Sequence, residues 1–124
     1  MTKLLTETEL TLMNVLWDLE TGTVREVHAA MEREVAYTTV ATVLKIMADK
    51  GFISSTKKGR ALVYSPSVPR ESYEKRGLSH LVQRVFGGDP LALVRSLVSG
   101  NDLSDDELSA LEALVDDARR SRDD

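Results

Sequence analysis

The sequence predicts a mainly α-helical chain carrying one small β-hairpin, and three observations carry that expectation. Apolar residues recur at helical spacing along most of the 124 residues. The helix-start pattern Ser/Thr-x-x-Glu stands at Thr6, Thr23 and Ser104. Two short runs rich in β-branched and aromatic residues, 52–57 and 60–65, are separated only by Lys58 and Gly59.

The first helix is announced by Thr6-Glu-Thr-Glu9. Leu10, Met13, Leu16 and Trp17 give its main stripe, and Leu12, Val15 and Leu19 broaden it, so this helix is expected to be largely buried. Trp17, the one tryptophan, reads as a core anchor rather than a ligand platform. Thr21-Gly22 breaks the chain. Thr23-Val-Arg-Glu26 then opens a short helix with Val24, Val27 and Met31 inward and Arg25 and His28 off that stripe. Thr23 and Arg25, at a helix N-terminus, suit phosphate contacts, and equally a plain cap and a solvated charge.

The helix over 37–50 is the element that the rest serves. Val40, Val43, Leu44 and Met47 fall at i, i+3, i+4, i+7, one buried stripe, and Gly51 stands where a left-handed cap ends the helix. The opposite face collects Thr38, Thr42, Lys45 and Asp49, with Thr39 beside them. Threonine is a mediocre helix former, so three of them on one surface were not chosen for helicity. Short hydroxyls let a helix enter a groove, bond phosphate oxygens or base edges, and press a methyl on thymine. Directly afterwards, the hairpin over 52–65 carries Lys57, Lys58 and Arg60 around its glycine. A basic turn can be mere solvation. Following a hydroxyl-faced helix, it has the outline of a wing whose cations reach the phosphate backbone.

Beyond residue 68 the pattern is helical throughout. Pro69 suits an early helical position, and Tyr73, Leu78, Leu81, Val82, Val85 and Phe86 form a stripe down to Gly87-Gly88. Asp89-Pro90 restarts a short helix with Leu91, Val94, Leu97 and Val98. Ser104-Asp-Asp-Glu107 opens the last helix, lined by Leu108, Leu111, Leu114, Val115 and Ala118, and the end over 118–124 is expected to fray. Three short amphipathic helices with no partner domain need apolar cover, and pairing with a second copy answers that need better than folding back.

Composition narrows the function classes. There is no cysteine, which removes disulfides, thiol chemistry and cysteine-ligated zinc, and no apolar run long enough to span a membrane. The N-terminus has no basic region followed by an apolar core, so no signal peptide is expected and the expected location is the cytoplasm. His28 and His80 lie on different expected helices, and the acidic run 102–107 lacks calcium-loop spacing. No catalytic set, metal site or cofactor motif appears, so an enzyme is not expected. The net charge is −4, but residues 36–76 hold eight basic residues (Lys45, Lys50, Lys57, Lys58, Arg60, Arg70, Lys75, Arg76) against three acidic ones. A local cationic field inside an acidic chain fits a binding face confined to one side, with modest affinity per subunit.

Helix, short connection, helix, turn, amphipathic helix and basic hairpin together make a winged helix-turn-helix, here followed by a helical dimerisation region. The chain resembles the BlaI/MecI/CopY family of bacterial repressors. The matching stretches are Thr8-Glu-Leu-Thr-Leu-Met-Asn-Val-Leu-Trp17, Val24-Arg-Glu-Val-His28, Ala36-Tyr-Thr-Thr-Val-Ala-Thr-Val-Leu-Lys45, Asp49-Lys-Gly-Phe52 and Leu103-Ser-Asp-Asp-Glu-Leu108. Their order and spacing span nearly the whole chain. The resemblance implies a homodimer on a two-fold, palindromic double-stranded DNA operator, with Thr38, Thr39, Thr42 and Lys45 facing the groove. It also departs at one place, since a basic residue common after the matched lysine is Ile46 here. The copper-sensing branch switches through a C-terminal cysteine cluster that this chain does not have. The β-lactamase branch is released when a membrane-bound sensor protease cuts its C-terminal part. Ser96-Leu97 stands where that branch carries its Asn-Phe scissile pair.

The expected organisation is thus a DNA-binding domain over 1–68 and a dimerisation domain over 69–124. Arg25, Lys57, Lys58 and Arg60 join the helix face as DNA contacts, and Leu78, Leu81, Val85, Leu97, Leu108, Leu111 and Val115 carry dimerisation. A different use of the same fold, a protein–protein interaction module whose threonine face docks a partner without sequence-specific DNA binding, is the alternative.

Overall fold

The three Ser/Thr-x-x-Glu spacings mark helix starts. In the computed structural model, which describes residues 4–123, α1 (Glu7–Leu19) follows Thr6, α2 (Val24–Ala29) follows Thr23 and α6 (Asp105–Asp123) follows Ser104. At each start the hydroxyl accepts from the backbone N–H three residues on at 3.2 Å. The glutamate there accepts in return from the capping residue's own N–H at 2.8 or 2.9 Å. Each reciprocal pair satisfies amides that the helix itself leaves orphaned. Between these lie α3 (Tyr37–Asp49), β1 (Ile53–Lys58), β2 (Ala61–Pro66), α4 (Arg70–Arg84) and α5 (Pro90–Ser99). Residues 1–3, where the reading for a signal peptide begins, and Asp124, the last of the tail expected to fray, lie outside the described residues.

The chain divides into two compact units, Met1–Gly77 and Leu78–Asp124. The first is built on Leu12, Met13 and Leu16 of α1, Val27 of α2, and Val40, Leu44 and Met47 of α3, which have almost no solvent exposure. Phe52, Ile53 and Tyr64 continue this core into the hairpin. Each such side chain contributes roughly 1.5–3 kcal/mol on burial.

The buried stripe of α1 differs from expectation. It runs Glu9, Leu12, Met13, Leu16, while Leu10, Val15 and Trp17 are half-buried and Leu19 is exposed. The i, i+3, i+4, i+7 series is intact, but a carboxylate fills its first place and hides it from a count of apolar residues. Glu9 is tolerated there because its oxygens accept from the Thr6 N–H and from Lys50 Nζ, both at 2.8 Å. Burial pushes its carboxyl up, but the bonds from Lys50 and Thr6 outweigh burial and hold it below the ordinary carboxylate range. The pair ties the start of α1 to the residue that caps α3.

Residues just past the hairpin also belong to this core. Tyr73 is buried, accepts from the Leu5 N–H at 2.8 Å, and sets its ring 5.8 Å from Trp17 and 6.3 Å from Phe52. Trp17 is half-buried and donates its indole N–H to the Val68 carbonyl at 2.9 Å, with the Arg70 guanidinium 5.3 Å above its ring. The tryptophan is an anchor, and what it anchors is the first turn of α4.

β1 and β2 pair antiparallel from Ile53 opposite Pro66 to Lys58 opposite Ala61. The tip is therefore Gly59-Arg60, one residue later than the sequence pattern placed it. Gly59 has φ +62°, as a two-residue hairpin turn demands of its first position. Gly22, expected only to break the chain, is a third contributor to the sheet. Its N–H donates to the Tyr64 carbonyl at 2.9 Å, and the Tyr64 N–H donates back at 2.8 Å. A Cβ at Gly22 would lie 3.3 Å from Val27 Cγ2, so the backbone approach needs a small residue.

In the second unit, Asp89 caps α5 through its carboxylate on the Leu91 N–H at 3.0 Å, with Pro90 in the first turn. Among the described residues, no side chain of α5 or α6 is buried. Val94, Leu97, Leu103, Leu111 and Leu114 line an open apolar groove between these helices. The tail expected to fray continues α6 to Asp123. Arg120 donates to Asp117 at 2.7 Å, and Arg120 and Arg122 in the last turn offset the negative end of the helix dipole.

Candidate nucleic-acid interface

α3 begins differently from α1, α2, α5 and α6. Its N-cap is Ala36, with no side-chain hydrogen bond, so the first amides of α3 are without the partner that Thr6, Thr23, Asp89 and Ser104 supply elsewhere. The turn that delivers this helix start is held from α2. His28 Nε2 lies 2.8 Å from the Val35 carbonyl, which makes it the donor, and the imidazole meets the edge of Tyr37 at 5.7 Å. His28 is thereby a packed, satisfied imidazole.

Burying Val40, Leu44 and Met47 turns the opposite face of α3 to solvent. Thr38, Thr39, Thr42, Lys45, Ile46 and Asp49 are all exposed there, with Tyr37 at the helix start. The Thr42 hydroxyl donates to the Thr38 carbonyl at 2.9 Å. Its proton is engaged, so the side chain offers its oxygen lone pairs and its methyl outward.

The wing is fastened to the end of that helix. Gly51, at φ +88°, reverses the chain after the Lys50 cap. The Phe52 N–H donates to the Met47 carbonyl at 3.0 Å, and the Phe52 carbonyl accepts from the Ser67 N–H at 2.9 Å. Both strands therefore leave from one buried residue at the foot of α3. At the far end, Lys57, Lys58 and Arg60 are exposed.

Ion pairing sorts the eight cations of residues 36–76. Lys50 is bound to Glu9 at 2.8 Å, Arg70 to Asp18 at 2.9 Å, and Lys75 lies 3.7 Å from Glu71. Among the described residues Lys45, Lys57, Lys58, Arg60 and Arg76 are in no ion pair. Three of the cations thus serve packing or are neutralised locally, and those on α3 and the wing tip keep their field. In α2 the roles of neighbours separate: Thr23 is spent as a cap, while Arg25 is exposed. The uncapped start of α3 was readable at Ala36, where no capping residue type stands. The part played by His28 needed a contact that no local pattern reveals.

Leu78, Leu81, Val85, Leu97 and Val115 are exposed, and Leu108 and Leu111 are half-buried. Ser96 and Leu97 lie within α5, where the Ser96 carbonyl accepts from the Gly100 N–H at 3.1 Å.

Known proteins resemble this chain in sequence and fold. The family model described as penicillinase repressor matches residues 5–117. The penicillinase repressor of Bacillus licheniformis is 22% identical over 120 residues, covering 95% of this chain and 94% of its own. The transcriptional regulator BlaI of Mycobacterium tuberculosis is 34% identical over 109 residues, covering 72% and 79%. Among solved structures, the DNA binding domain of the repressor BlaI superposes with a TM-score of 0.51 at 27% identity, over 59% of this chain and 94% of that domain. The reduced form of MarR from E. coli, 16% identical with a TM-score of 0.51 over 92% of this chain and 77% of its own, shares the winged-helix fold alone.

Proposed function

The chain belongs to the penicillinase repressor family, and from that premise we propose that it is a homodimeric transcriptional repressor that reads a palindromic operator. α3 lies in the major groove, with Thr38, Thr39, Thr42 and Lys45 on base edges and nearby phosphates. Arg25 and the wing residues Lys57, Lys58 and Arg60 hold the flanking backbone. The observation that carries this reading is the pairing of an exposed, uncapped hydroxyl face with a wing tip whose cations are in no ion pair among the described residues. Phosphate contacts position the helix and the hydroxyl face discriminates among sequences.

Leu78, Leu81, Val85, Leu97, Leu108, Leu111 and Val115 join two copies, and half-site centres lie in multiples of roughly 10–10.5 base pairs. Release runs through the dimerising half, with a membrane-bound sensor protease as the partner that cuts it. Ser96-Leu97 is helical, so cleavage there requires the end of α5 to unwind into the protease.

The test uses a duplex enriched from a random pool by the intact protein. Lys57, Lys58 and Arg60 replaced together by alanine should weaken binding to enriched and unrelated duplexes about equally. The slope of log affinity against log salt should flatten by about 0.9 for each phosphate that the variant no longer neutralises. Unchanged affinity at low and high salt would remove the wing from the interface. A pool that yields no enriched sequence would leave the same fold as a protein-docking module.

A further inference from the structure

Ile46 sits on the wrong side of α3 for a core residue. The apolar stripe of the helix is Val40, Leu44 and Met47, none of which reaches solvent, whereas Ile46 is 42% exposed. It follows Thr42 by one turn and Thr39 by two, so the three share one edge of the groove-facing side. Lys45 and Asp49, also exposed, flank it with charge. A single exposed isoleucine is unremarkable on a general surface. Here it is a side chain with no hydrogen-bonding atom on a face otherwise made of hydroxyls and charges. Thr42 extends the apolar character, because its hydroxyl proton is held by the Thr38 carbonyl and its methyl remains available.

A duplex presents one apolar feature in the major groove, the 5-methyl group of thymine. Resting on the reading of α3 as the groove-entering helix, we propose that Ile46 is a specificity-determining residue. With the Thr42 methyl it forms an apolar seat that selects thymine by its 5-methyl group. Cytosine at the same place is disfavoured because it has no methyl to bury. The operator position read by the middle of α3 is therefore a thymine in each half-site.

Deoxyuridine tests this directly, since it differs from thymidine by the methyl group alone. Intact protein is used to enrich a duplex from a random pool, and each thymine of the enriched sequence is then replaced by deoxyuridine in turn. One thymine per half-site should stand out, its replacement weakening binding by about fourfold, the worth of one buried methyl. Ile46→Ala should bind the thymine duplex about as weakly as the natural protein binds the deoxyuridine duplex, and should gain nothing from the methyl. Ile46→Leu should recover part of the methyl effect. Affinity for unrelated duplex, set by the wing, should be the same in all three proteins, which separates loss of the seat from loss of the fold. Equal methyl effects in the natural protein and Ile46→Ala, or no thymine sensitive to its methyl, overturns the inference and leaves the repressor reading standing. A pool with no enriched sequence overturns both.

Discussion

Glu9 shows how one residue can serve the fold while appearing to oppose it. Its side chain is 4% exposed and its partner Lys50 is 37% exposed, so one charge is buried and the other remains within reach of water. Losing one partner of a wholly buried pair costs ~3–5 kcal/mol. The open ammonium and the Thr6 bond that a glutamine retains reduce this, so Glu9→Gln should cost about 1–2 kcal/mol at pH 7. The sign of the pH dependence follows from the lowered carboxyl. A group depressed on folding contributes stability above its unfolded pKa, and that contribution is lost as pH falls through the folded value. Urea titrations of both proteins at neutral pH and in acid should therefore show a gap that narrows as the solution is acidified below the usual glutamate range. A gap that stayed constant into acid would mean that the ionised pair is not what the substitution removes.

At the scale of elements, α4 offers the cleanest test. Gly77 lies in its interior without a positive φ, and a Cβ built there meets no atom within 4 Å. Gly77→Ala should stabilise the protein by about 0.5–1 kcal/mol, because alanine loses less backbone entropy on entering a helix and nothing obstructs its methyl. Thermal unfolding measures it, and a fall in midpoint would show that α4 needs its glycine for a reason other than space. The elements also differ in how far the sequence reveals them. Capping boxes at Thr6, Thr23 and Ser104 are local and chemically specific, and all were legible. The stripe of α1 was obscured because Glu9 occupies it. The Gly22–Tyr64 bridge joins residues distant in sequence, so no window along the chain contains it. The threonine face of α3 could be read as exposed from period alone and its missing cap from Ala36, whereas the His28 support became visible only when the turn before the helix was placed.

At the scale of the molecule, the two units stand in contrast. The first holds a continuous core reaching from Leu5 to Tyr73, which is why a fragment meant to keep the fold must extend to Gly77. In the second, α5 and α6 bury no side chain among the described residues, and Leu91, Val94, Leu97, Leu114 and Val115 meet solvent. Apolar area of that kind is stable in water when something covers it, and a second copy brings the same residues to the same need. On the proposed reading the DNA-facing surface has few free cations, so one copy would make few phosphate contacts and hold DNA weakly. Two tethered copies would bind their half-sites at a high effective concentration, which would raise affinity by about 10²–10⁴ without any further interaction with DNA. Leu111, half-buried in the apolar groove of its own unit, is the point at which to break this. Residues 1–77 alone and a full-length Leu111→Asp protein should both sediment as monomers. The fragment should unfold cooperatively, and both should lose binding to the enriched duplex at moderate salt while keeping weak affinity for any DNA at low salt. If either monomer bound the enriched duplex as tightly as the intact protein, pairing through this half would not be what makes the protein a repressor, and cutting it would not release the operator.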